Sequence, residues 1–88
     1  MTKVFIPEAL QGFTKKKSIL SIDANTVQEC LDNLQLSAPR LSQAITDSKG
    51  KLSGYISLYL NGQPILADEN NALAPDDKLE LIVAVSGG

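Results

Sequence analysis

The sequence has no histidine, no tryptophan and a single cysteine, Cys30; its aromatic side chains are two phenylalanines and two tyrosines. Without histidine, imidazole-assisted nucleophilic catalysis lacks its base. One cysteine cannot form an internal disulfide, a zinc-thiolate site or an iron–sulfur cluster. Histidine-assisted catalysis is therefore not expected, nor is a metal site. Long apolar runs are absent too: the densest stretch, Leu79 to Val85, is broken by Glu80 and is far short of a bilayer span. Met1 to Phe5 reach Pro7 and Glu8 before a signal-peptide core could form. With the lone cysteine, this places the chain in the cytoplasm with no membrane partner. Basic charge is not in excess either, since the net charge is −2, which argues against a nucleic-acid partner.

What is present describes one small domain. The 88 residues are 43% hydrophobic and 20% charged, ordinary for a globular chain, and this length buries roughly 60–65% of the unfolded surface. Charge is uneven along the chain. Residues 1–54 hold seven basic and five acidic side chains, whereas 55–88 hold one basic and five acidic. By that count the C-terminal third should dock on a basic surface.

Lys3 to Ile6 reads as a strand ended by Pro7; Glu8 to Lys17 as a polar loop; Ser18 to Ile22 as a second strand. Thr26 with Glu29 forms a capping box that opens a helix, and Val27, Cys30, Leu31 and Leu34 make its buried stripe. Pro39 ends that helix near Leu36, and Leu41 and Ile45 form a short second turn. Tyr55 to Leu60 alternates as a strand, Asn61-Gly62 is a hairpin turn, and Gln63 to Leu66 returns. After the Pro75-Asp76-Asp77 turn comes a last apolar strand, Leu79 to Val85, predicted to lie centrally and parallel to the first. The expected fold is α+β, a β-grasp: a mixed sheet of four or five strands covered by one main helix, with a domain over 1–85 and a flexible tail over 86–88.

The tail is Ser86-Gly87-Gly88. At about 7% glycine usage, two terminal glycines arise by chance roughly once in 200 chains. A frayed end is one reading. The other is chemical: glycine lacks a Cβ, so Gly87 and Gly88 can thread a narrow channel, and three residues reach about 10 Å into another protein's active site. Together with the Thr26–Leu31 helix start and the Tyr59-Leu60-Asn61-Gly62 hairpin, the Val85-Ser86-Gly87-Gly88 end makes the chain resemble the ubiquitin-like sulfur carriers of the MoaD, ThiS and CysO type. Ser86 departs mildly from the alanine that many of them carry there.

The resemblance implies that Gly88 is the working residue. A partner enzyme consumes ATP to adenylate its carboxylate, and a sulfur donor then converts it to a thiocarboxylate for a downstream biosynthetic enzyme. The carrier binds no cofactor, performs no catalysis and is a monomer when free. Molybdopterin, thiazole, cysteine, homocysteine and specialised metabolites remain open as products. Two alternatives stay open beside it: a protein modifier joined to lysines through the same activated glycine, and a β-grasp binding subunit.

Phe5, Tyr59 and Ile82 should lie on the sheet face away from the helix, near the tail, as a partner interface; Glu80, Asp76 and Asp77 would rim it with negative charge, although Asp76 and Asp77 read better as charges that keep the protein soluble. Cys30, on the helix's apolar stripe, should be core. Lys15-Lys16-Lys17 reads as a solvated loop, with docking of an acidic partner or acceptance of a conjugated carrier as alternative roles.

Overall fold

The computed structural model describes residues 1–49, 51–69 and 71–84; the expectations for Val85, Ser86, Gly87 and Gly88 lie outside the described residues. Five strands form one mixed sheet: β1 (Thr2–Phe5), β2 (Ile19–Ile22), β3 (Ile56–Leu60), β4 (Gln63–Ile65) and β5 (Lys78–Val83), in the order β2-β1-β5-β3-β4. β1 and β5 pair in parallel and the other neighbours are antiparallel. This is the β-grasp expected, with β5 central.

Helices α1 (Val27–Ser37) and α2 (Pro39–Ile45) fill the crossover between β2 and β3 and cover one face. The Glu29 N–H donates to Thr26 Oγ1 at 3.2 Å, and Glu29 Oε1 accepts from Asn25 N–H, one residue before the cap. The first bond satisfies a donor that the first helical turn leaves without a partner, and the second ties the chain before the cap to that turn. Val27, Cys30 and Leu34 bury completely or nearly so. They meet Val4, Leu58, Leu79 and Leu81 from the sheet, with Leu41 and Ile45 of α2 in the same core. α2 is longer than the single turn expected, because Pro39 sits at its first position, where a missing N–H costs nothing.

The hairpin between β3 and β4 turns on Asn61 (φ 52°) and Gly62 (φ 85°), both left-handed, the geometry that matches the strands' twist. One segment differs from expectation. Glu8–Phe13 is a 3-10 helix, not loop: Pro7 enters it at φ −67°, and Leu10 buries while the helix packs against α2. A single apolar anchor leaves no period to read. Leu66 follows β4 instead of belonging to it, and Tyr55 precedes β3.

Candidate docking face and chain exit

Register places the side chains of the uncovered face in rows. Phe5 pairs with Ile19 on one side and Glu80 on the other; Glu80 pairs with Tyr59, and Tyr59 with Pro64. One continuous row therefore crosses all five strands: Ile19, Phe5, Glu80, Tyr59, Pro64. Side chains two residues along a strand share a face, so the next row holds Ile82 and its partner Ser57. Leu66, one residue past the Leu58–Ile65 pair, continues that row. In the other direction the row is polar, with Ser21, Lys3 and Lys78. The face thus grades from charged to apolar.

The apolar end is where β5 finishes. Parallel pairing with β1 and antiparallel pairing with β3 put Val83 beside the start of β3, and the Ala84 N–H donates to the Tyr55 carbonyl at 2.8 Å. Ile82 (39% exposed), Tyr55 (57%) and Leu66 (65%) all lie there, with Ile19 (45%) across the sheet. Exposed apolar groups gathered at one place mark an interaction surface more often than the same groups scattered.

The structure places Phe5, Tyr59, Ile82 and Glu80 together on the open face. Glu80 is not at its rim: it is half-buried between Phe5 and Tyr59 in the central strand. Asp76 and Asp77 are not at the exit either. They precede Lys78, the first residue of β5, and so stand at the opposite end of the sheet. Asp77 has structural work there. Its Oδ2 accepts from the Ala74 N–H at 2.8 Å and its Oδ1 from the Asn61 side-chain amide at 3.0 Å, which together hold its carboxyl below the usual range. Asn61 in turn exchanges bonds with Lys78, tying the hairpin to β5. The expectation of an acidic rim at the exit failed because the turn precedes β5 and the exit follows it, so the length of the strand separates them.

Ile19, Tyr55 and Leu66 were not named in the partner interface, although alternation with Tyr59 already puts Tyr55 on that face. The register of the Asn61-Gly62 hairpin would have found Leu66 opposite Ser57. Cys30 is fully buried, and burial pushes its thiol up to about 11, so it is a core residue without thiolate character at neutral pH. Among the described residues no three His, Cys, Asp or Glu side chains converge to hold a metal, and no helix is long and apolar enough to cross a membrane. A groove of about 740 Å³ runs from α1 to the β3–β4 edge, lined by Leu31, Leu52 and Ile65 with Asp32 and Asp68, and it reaches Tyr59, Pro64 and Leu66 of the open face.

Comparison with known proteins agrees with this architecture. The model of the ThiS family matches residues 4–88. The crystal structure of Mycobacterium tuberculosis CysO, described as an antigen, superposes with a TM-score of 0.83 at 24% identity, over 97% of this chain and 100% of that one. Haloferax volcanii SAMP1 superposes with a TM-score of 0.81 at 26% identity, over 99% and 98%. A chain of the Amycolatopsis orientalis BexX/CysO complex gives 0.84 at 22%, over the full length of both. No curated protein matches the sequence.

Proposed function

This chain belongs to the ThiS family, and from that premise we propose that it is a sulfur carrier activated at Gly88. Its relatives are small ubiquitin-like carriers and modifiers that are not themselves catalysts. With Gly88 as the chain terminus, its α-carboxyl has an ordinary pKa of about 3.3–3.7 and is a carboxylate at neutral pH, hence a poor electrophile. An adenylating partner supplies ATP: the carboxylate oxygen attacks the α-phosphorus, pyrophosphate leaves, and an acyl-adenylate forms. Sulfur at the sulfide level then attacks the acyl carbon and AMP leaves, giving the thiocarboxylate. A downstream enzyme takes that sulfur without its release into solution. The carrier's part is positioning.

The observation that carries this reading is the place where β5 ends. Ala84, bonded to the Tyr55 carbonyl, stands beside Ile82, Tyr55 and Leu66, so a partner that covers the apolar rows of Phe5, Tyr59 and Ile82 lies next to the point from which the chain continues. Glu80, flanked by Phe5 and Tyr59, offers that partner a carboxylate inside an otherwise apolar row, suited to one basic group. Ser86 and Gly87 give the reach and the narrowness to enter an active site. The protein then acts as a monomer passed between the adenylating enzyme, the sulfur donor and the sulfur-accepting enzyme.

The test is ATP–pyrophosphate exchange with the adenylating enzyme of the native host. The full chain should support exchange, and the chain lacking Gly88 should not, with unchanged circular dichroism. Exchange by the shortened chain, or none by the full one, would overturn the reading. A second reading is favoured by the 26% identity to SAMP1, a small archaeal modifier protein: the same acyl-adenylate attacked by a lysine amine. A branched lysine adduct in the intact mass spectrum would select it.

A further inference from the structure

Between β1 and β2 the backbone takes a form that bulky side chains disfavour. Lys15 (φ 54°) and Lys16 (φ 68°) are consecutive left-handed residues, where glycine or asparagine would be adopted at less cost. Such a turn persists only when its surroundings hold it. Thr14, buried, donates its hydroxyl to the Lys17 carbonyl at 2.7 Å; the Lys16 N–H donates to the Gln11 carbonyl at 2.8 Å and the Lys17 N–H to the Thr14 carbonyl at 3.1 Å. The Gln11 side-chain amide donates to the Ile6 carbonyl and ties the turn to the end of β1. Three lysines are thereby held out on a pinned turn. All three are exposed, and none has an ion-pair partner among the described residues. Backbone geometry does not account for lysine at these positions.

Topology brings this turn to the exit end. The Ile6 N–H donates to the Ser18 carbonyl at 2.7 Å and Ile19 pairs with Phe5, so Lys17 stands directly above the apolar row. β2 is two strands from β5, about 10 Å at the usual spacing. Glu8 opens the 3-10 helix at the same end, while Asp76 and Asp77 are at the other. A chain of net charge −2 therefore shows a basic corner beside its docking face.

We propose that the Lys15–Lys17 turn docks on an acidic surface of the adenylating partner, next to the apolar contact made by Ile19, Phe5 and Ile82. The inference rests on the carrier reading above and names the charge that the partner must present. Charge complementarity and continuity with the apolar face select this occupant, and they reverse the basic partner surface that counting charge along the sequence suggested.

The test replaces charge while keeping the left-handed backbone: Lys15→Asn, Lys16→Asn and Lys17→Gln together, in the full chain, assayed by ATP–pyrophosphate exchange across a range of carrier concentration and salt. The expected result is a KM for the carrier raised about tenfold at low salt, kcat unchanged and the salt dependence flattened. The triple arginine variant should behave as wild type. Lys17→Glu, at a residue without a left-handed φ, should raise KM on its own and decides the matter if the triple variant fails to fold. Wild-type KM and salt response in the charge-free variant, with the wild type active, would overturn this inference and leave the carrier reading standing. An inactive wild type would overturn both.

Discussion

On the covered face of the sheet Val4, Leu58, Leu79 and Leu81 are at most 1% exposed, whereas one residue away on the same strands Ile82 stays 39% exposed and Phe5 and Tyr59 half-buried. The covered face is apolar throughout and the open face only toward the exit end, and only the first has a helix over it. Parity along a strand thus decides whether an apolar side chain stabilises the monomer or is left for a partner. The two ends of the sheet divide in the same way: Asn61, Asp77 and Lys78 lock the far end with hydrogen bonds, and the exit end carries exposed Tyr55, Leu66 and Ile82.

If the faces do separate stability from docking, substitutions one residue apart must have opposite signatures. Leu79→Ala leaves a cavity in the core and should cost about 2–5 kcal/mol in urea unfolding. Ile82→Ser should cost about 1 kcal/mol, well short of that. Equal losses at the two positions would break the comparison. In the exchange assay Ile82→Asp should raise the carrier's KM about tenfold, equivalent to about 1.4 kcal/mol of docking, without loss of the folded circular-dichroism spectrum. Unfolding instead would mean that the two faces are reversed. A smaller effect is expected at the helix start: Thr26→Ala removes the acceptor for Glu29 N–H and should cost about 1 kcal/mol, with no change in KM.

The far end predicts a pH dependence. Hydrogen bonds from Ala74 and Asn61 lower the Asp77 pKa below its ordinary 3.8. The native state then holds fewer protons than the unfolded chain near that pH, so this contribution is present above about pH 4 and is lost as pH falls through the folded pKa. Asp77→Asn should lower stability at neutral pH and flatten its decline below pH 4. An unchanged acid limb would show that the turn does not depend on the carboxylate.

Much of this architecture is legible in residue patterns, and the parts that are not have identifiable causes. Thr26 and Glu29 announce α1, Asn61-Gly62 announces the hairpin, and the apolar run from Leu79 requires a central strand. From those three features the β-grasp order follows. The 3-10 helix escapes because Leu10 is its only buried residue. The pinned lysine turn escapes because nothing in Lys15 or Lys16 signals a positive φ; the cause is Thr14, a buried hydroxyl whose partner is three residues on. Exit-end membership of Leu66 was legible from the hairpin register and that of Tyr55 from its alternation with Tyr59, although neither residue lies within its strand. That Asp77 stands away from the exit was legible, since it precedes β5 and the exit follows; its bonds to Ala74 and Asn61 were not, because they join segments distant in sequence or hidden in a turn.

The most direct test is the intact mass of the protein isolated from its native host growing with ample sulfur, with fragmentation to locate any change. A single exchange of sulfur for oxygen, confined to the fragment ending in Gly88, is the result this account predicts. A terminus found only as an unmodified carboxylate, in cells where sulfur transfer is running, would contradict it.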